Sequence, residues 1–303
     1  MSEQVCVLGT GLIGGSVLRA VAAAGWTGWG WNRSPVDAVG FDVRTDLAAV
    51  LDRAAAADAL IVLAVPITAL EDVLHAVAQH APGCALTDVV SVKAPVAEAV
   101  ARCGLAARFV GGHPMAGTSE SGWAAGSAEL FAGAAWVVAA DDGLDAAVWL
   151  RVARLALGCG AYVVPAAAAE HDAAVARISH LPHLLAAILA SVGADGGALA
   201  MGLGAGSFRD GTRVAGTRPE LTRAMLEANR AGLQEALDDA LGRLGVARSA
   251  LASTGTVGAS VNDGHRARLL FTEHERFDIT GVDLADLPAL RAAGRAGGVL
   301  RAL

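Results

Sequence analysis

Residues Gly9-Thr10-Gly11-Leu12-Ile13-Gly14 follow the short apolar run 5–8 directly and open a stretch, 12–24, of helical composition. Few folds accept glycines at that spacing between a strand and a helix. Gly9 permits a tight turn, Gly11 leaves bare backbone for a close approach, and Gly14 lets the helix pack tightly on the sheet. The free N–H groups and dipole at a helix start favour an anion. The loop therefore reads as a cradle for the pyrophosphate of a dinucleotide, with Gly9, Gly11, Leu12, Ile13 and Gly14 as candidate cofactor-binding residues. The glycines alone are a weak signal; the strand before, the helix after and the N-terminal position make it specific.

The rest of the first half continues in the same alternation. Apolar runs at 27–31, 60–65, 85–89, 109–111, 135–139 and 162–164 read as strands, and 69–79 reads as a helix. Strands alternating with helices imply a Rossmann-type, doubly wound and mostly parallel sheet. After Pro165 the pattern changes: 166–192, 219–244 and 287–303 are helical in period with few β-rich runs between them. The expected organisation is a dinucleotide-binding domain over 1–165 and an all-helical domain over 166–303.

Composition narrows the class. Hydrophobic residues make up 54% and charged residues 17% of the 303, enough for a large core and too apolar for a disordered chain. The net charge is −7 and no block of Lys or Arg forms a basic stripe, so nucleic acid is not an expected partner. Mean hydropathy is high at +0.48, yet Arg, Asp, His and Gly interrupt the apolar segments, and neither a membrane span nor a signal peptide is expected. The four cysteines, Cys6, Cys84, Cys103 and Cys159, are widely spaced with no CxxC pair and read as buried reduced thiols. The expected setting is cytoplasmic.

A dinucleotide fold usually ends its second strand with Asp or Glu, which holds the adenosine ribose. Here that place reads Trp31-Asn32-Arg33-Ser34. No carboxylate is present to repel a 2′-phosphate, and Arg33 with Ser34 can hold one, so NADP is favoured. Arg33 stacked over adenine would leave NAD equally usable. Asn32, Arg33 and Ser34 join the candidate cofactor residues.

Three polar clusters interrupt the apolar background: Asp88-Val89-Val90-Ser91-Val92-Lys93, Gly111-Gly112-His113-Pro114-Met115-Ala116-Gly117, and a dispersed set holding His171-Asp172, Ser179-His180-Leu181-Pro182-His183 and Ser207 through Arg213. The first two close predicted strands, where α/β sheets bind ligands. Four of the eight histidines fall in these clusters, and histidine is the side chain best suited to move a proton near neutral pH. His171, His180 and His183 could share a helix, but there is no HExxH and no carboxylate at useful spacing, so no metal site is expected.

The segments GTGLIGGS, DVVSVK, GGHPMAG, EHD, SHLPH and SFRDGTRVA resemble, in order, the motifs of the prephenate/arogenate dehydrogenase family, from residue 9 to residue 215. The resemblance implies a nucleotide-binding domain followed by a helical domain that forms a homodimer. It also implies oxidative decarboxylation of prephenate or arogenate in tyrosine biosynthesis, with hydride passing to NAD or NADP. It places His113 on the ring hydroxyl as catalytic residue, Ser91 beside it, Arg213 on a substrate carboxylate, and His183 and His171 in the pocket. Some members carry a gating Glu six residues after the catalytic histidine; here that position is Ser119 with Glu120 next, and the role is not transferred. No tyrosine-binding regulatory module is expected. The motifs leave prephenate, arogenate and 4-amino-4-deoxyprephenate undistinguished. A non-catalytic NADP-binding sensor is disfavoured by the presence of both His113 and Arg213. A relative of the 3-hydroxyacid dehydrogenases is disfavoured because the only lysine, Lys93, precedes the helical domain.

Overall fold

In a computed structural model that describes residues 3–118 and 120–303, five short apolar runs form a parallel sheet. They are β1 (Gln4–Leu8), β2 (Thr27–Trp31), β3 (Val43–Arg44), β4 (Leu60–Leu63) and β5 (Leu86–Asp88), in spatial order β3-β2-β1-β4-β5. The side chains of β1 and β4 alternate between two clusters. Val5, Val7, Leu60 and Val62 pack with α1 (Leu12–Ala23) and α5 (Ala146–Gly158). Cys6, Leu8, Ile61 and Leu63 pack with α2 (Leu47–Ala56), α3 (Leu70–His80) and α4 (Ala94–Arg102). A strand covered on both faces has no polar side, which is why 60–63 reads as an unbroken apolar run. The strand order reverses between β1 and β4, so the crevice of this doubly wound sheet opens where the glycine loop follows β1.

Beyond β5, Phe109 makes a single parallel bridge to Leu86. The chain then enters β6 (Gly112–Pro114), antiparallel to β7 (Ala135–Ala139), which runs parallel to β8 (Tyr162–Ala166). The strand expected at 109–111 thus starts one residue after its predicted end.

One compact unit comprises the chain to His171 together with Phe277–Leu303; the other is Asp172–Arg276. The C-terminal segment, read from sequence as helical domain, thus returns to the first unit. Leu287, Leu290 and Leu300 are buried in the same cluster as β1 and α5, and Leu300 pairs with Val163 beside β8. Its helix also stops early. Gly297 takes φ +96°, a left-handed conformation suited to glycine, and Gly298–Val299 pairs with Phe277–Asp278 as a two-stranded ribbon.

The helix α6 (Ala168–Val175) crosses the boundary between units and passes through a π-helical turn, Ala176–His180, into α7 (Leu181–Asp195). The second unit continues with α8 (Gly197–Leu203), α9 (Gly206–Thr212), α10 (Pro219–Ala228), α11 (Arg230–Thr254) and α12 (Gly258–Glu273). Asn229 breaks what reads as one helix over 219–244. His180, His183 and Gly193 interrupt 178–194, but no charged residue falls between Arg177 and Asp195. Ala168–Asp195 is, among the described residues, the one helix long and apolar enough to cross a membrane by length and composition, with 22% of its most apolar window buried.

Candidate active site

The glycine loop is shaped by what a side chain would strike. Gly9 has φ +99°, and a Cβ there would lie 2.6 Å from the Ala64 carbonyl oxygen; at Gly14 it would lie 1.9 Å from that of Gly9. At Gly11 a Cβ would meet nothing within 4 Å. Two glycines are thus demanded by the chain itself, whereas Gly11 faces open space at the start of α1. That helix start has no side-chain cap and no acidic residue in its first turn, which fits an anionic pyrophosphate. Leu12 and Ile13 form the first helical turn.

The loop is pinned to β2, since Gly9 N–H donates to the Trp31 carbonyl at 2.8 Å. Thr10 N–H donates to Asn32 Oδ1 at 3.3 Å, while Asn32 Nδ2 donates to the Ser34 carbonyl at 2.8 Å. Asn32 therefore acts as a bracket inside the loop, leaving Arg33 and Ser34 exposed beside it. Just before β3, Asp42 is gripped by Arg44 at 2.8 Å and Arg53 at 2.7 Å. The hydrogen bond from Arg44 holds its carboxyl below the usual carboxylate range. The adenosine end thus presents cations and a neutralised acid, and a nicotinamide dinucleotide fits this loop.

Asp88 closes β5 in full burial and organises the next turn. It accepts from the Val90 N–H at 3.0 Å, the Gly112 N–H at 3.0 Å and the ammonium of Lys93. Lys93, equally buried, also donates to the Gly112 carbonyl at 2.6 Å. Burial pushes the Asp88 carboxyl up, against the pull of Lys93 and the two N–H donors. Ser91, half-buried, sits in the turn between Asp88 and Lys93.

His113 follows Gly112 on β6, paired across the ladder with Val137. Its Nδ1 lies 2.8 Å from Nε2 of the buried His171 on α6, with the rings edge to face. One proton sits between the two nitrogens, so the dyad has two tautomers. When His113 donates from Nδ1, its Nε2 becomes a proton acceptor.

In the second unit, His183 Nδ1–H donates to the Ser179 carbonyl at 2.8 Å, which leaves Nε2 as its unprotonated nitrogen when neutral. His180 is buried at the end of the π turn, where its Nδ1 accepts from Asn229 Nδ2 at 3.1 Å; the same amide donates to the Asp172 carbonyl at 2.7 Å. Arg213 is exposed at the start of the single turn Arg213–Gly216. The structure thus joins His113 with His171, and places Ser91 in the same unit; His183 and Arg213 belong to the other. Ser119 lies outside the described residues, and Glu120 is exposed.

Sequence reading took Ser91 from its motif and passed over Asp88 and Lys93. The available signal was a lone lysine at the carboxyl edge of a parallel sheet in an otherwise Arg-based chain. Asn229 carried no such signal, because only tertiary contact gives it its partners.

A family model described as the prephenate dehydrogenase nucleotide-binding domain matches residues 35–165, and one described as the prephenate dehydrogenase dimerization domain matches residues 167–256. A Bacillus subtilis prephenate dehydrogenase is 29% identical over 261 residues, covering 79% of this chain and 67% of its own length. A Corynebacterium glutamicum structure, provisionally named prephenate dehydrogenase, is 46% identical with TM-score 0.93, covering 99% of both chains. The Synechocystis arogenate dehydrogenase structure is 28% identical with TM-score 0.77, covering 89% of this chain and 100% of its own.

Proposed function

The chain belongs to the prephenate dehydrogenase family and is an NAD(P)-dependent dehydrogenase; we propose that it oxidises the ring hydroxyl of prephenate or arogenate through the His113–His171 pair. The 2.8 Å contact between the imidazoles carries this reading. With His113 donating from Nδ1, its Nε2 takes the hydroxyl proton as the carbinol C–H bond breaks. The imidazolium that forms keeps its Nδ1–H on the His171 lone pair, so His171 fixes the tautomer and disperses the charge. Ser91, carried on the turn after β5, contacts the same hydroxyl and orients it. Gly9–Gly14 would hold the dinucleotide by its pyrophosphate, and its nicotinamide would supply the hydride acceptor. Loss of the ring carboxylate as carbon dioxide then yields the aromatic phenol, and aromatisation drives the step. Arg213 binds a substrate carboxylate, for which a guanidinium fork is suited, and His183 lines the pocket.

The cofactor is NADP or NAD, read by Arg33 and Ser34. The active form is a cytoplasmic homodimer joined through the helical unit. Its exposed apolar side chains, among them Val192 at 63% and Leu199 at 75%, support this assembly.

A reduction assay with both substrates and both cofactors tests the class, and turnover is expected in at least one combination. His113→Asn is expected to lower turnover by roughly 10²–10⁴-fold with cofactor affinity little changed. An unchanged rate removes His113 from the chemistry. Arg213→Gln is expected to raise the Michaelis constant far more than it lowers turnover. The reverse pattern contradicts carboxylate binding.

A further inference from the structure

We propose that the buried Asp88–Lys93 ion pair is a positioning device that mounts both groups facing the reacting hydroxyl, Ser91 and His113. The inference rests on the role proposed above for His113. Three observations carry it. First, the pair closes the turn from Asp88 to Lys93 on itself, so Ser91 is carried on a loop whose two ends are joined by a charge-assisted hydrogen bond. Second, the same two side chains grip both backbone polar groups of Gly112, the residue before His113: Asp88 Oδ1 accepts its N–H at 3.0 Å, and Lys93 Nζ donates to its carbonyl at 2.6 Å. The far edge of β6 is held by β7, where Ala139 N–H donates to the Gly111 carbonyl at 2.8 Å and Met115 N–H to that of Ala135 at 2.8 Å. Third, the two glycines ahead of His113 lie close against the backbone of Asp88 and the stem of Lys93. A Cβ on Gly112 would lie 2.7 Å from the Asp88 carbonyl oxygen, and one on Gly111 would lie 3.3 Å from Lys93 Cδ.

The residue type matters as much as the charge. Lys93 is the only lysine in 303 residues, in a chain whose other basic side chains of this kind are all arginine, and it is only 2% exposed. A compact ammonium at the end of a slim stem can reach a carboxylate and a carbonyl together in a closed space; a planar guanidinium cannot take its place there. A buried pair of this sort is weak evidence of stabilisation, because its desolvation offsets its attraction. What the pair does supply is the geometry it imposes on the turn and on Gly112.

The decisive comparison is between wild type, His113→Asn and the double variant Asp88→Asn/Lys93→Met, which removes both charges while roughly conserving volume. In the double variant, turnover is expected to fall by ~10–100-fold, as for a catalytic group displaced by about an ångström, while the Michaelis constant and cofactor affinity stay within about threefold. The pH dependence of its turnover is expected to move as well, since Gly112 no longer holds His113 in place. Lys93→Arg is expected not to preserve wild-type turnover. A folded double variant with wild-type turnover and pH profile overturns the proposal. So does one in which cofactor affinity and Michaelis constant collapse together with turnover, for that is general structural damage. If the double variant fails to fold, hydrogen exchange of the wild-type protein decides. Amides of 88–93 and 110–113 exchanging as slowly as those of Gln4–Leu8 support the clamp, and exchange at surface-loop rates overturns it. Wild-type turnover in His113→Asn would instead sink the functional reading, which separates the two failures.

Discussion

The two compact units bury their apolar residues in opposite ways. The first sandwiches its parallel sheet between two clusters and buries Trp29, Trp136 and Trp149 completely. The second, between Asp172 and Arg276, buries only Val175, Ala176, Ala186 and Ala236 among its apolar side chains, while Leu203 is 73% and Phe271 72% exposed. A unit of that kind gains little hydrophobic stabilisation from burial within itself, and the proposed dimer would add to it. The first unit is a well-buried mount for the proposed chemistry; the second presents exposed apolar helices that the proposed association would cover.

The contrast can be broken at several points. Trp149→Ala, deep in the first unit, is expected to cost ~3–5 kcal/mol in denaturant titrations, independently of protein concentration. A concentration-dependent loss would mean that this core also relies on the partner. Next in size, Val192→Glu with Leu199→Glu is expected to weaken self-association by about two orders of magnitude in sedimentation experiments. It should also expose a separate, earlier melting transition of the helical unit. A fully dimeric, cooperatively melting variant would end the argument from exposed apolar faces.

Alkaline pH separates the units by their thiols, since all four cysteines lie in the first. Burial pushes Cys6 and Cys159 up to about 12, from the ordinary 9.0. The folded state thus keeps protons that the unfolded chain has already released. Their contribution is complete below pH 9 and is lost as pH rises toward 12, by about 1.4 kcal/mol per pH unit for each thiol. Cys159→Ala is expected to flatten that slope, and an unchanged slope would show that other groups dominate. The smallest effect is expected for Arg33→Ala, a shift of roughly tenfold in preference from NADP toward NAD, read from kcat/KM. No shift would assign Arg33 to adenine stacking.

Much of the first unit was legible because its signals are local. The run LIVL reports a strand buried on both faces, and the spacing of Gly9, Gly11 and Gly14 reports a turn, a bare approach and a close helix contact, each within a few residues. The GGHPMAG segment was legible as a polar cluster at a strand, and the resemblance supplied the proposed role of His113. The extent of the first unit was not, because Leu287, Leu290 and Leu300 carry helix-like spacing and only their burial against β1 and α5 reveals where they belong. Nor was the break at Asn229, whose amide is held by His180 and the Asp172 carbonyl from far along the chain.

Sequence by itself determined the doubly wound sheet, the cofactor loop and the order of the motifs, because periodicity, glycine spacing and strand ends are properties of neighbouring residues. Tertiary structure alone decided that His171 is the partner of His113, that Asn32 braces the glycine loop at Thr10, and that the lone lysine is bonded to Gly112 on β6. Those pairings join residues from 19 to 58 positions apart, and a hydrogen bond depends on ångströms between atoms rather than on the distance along the chain.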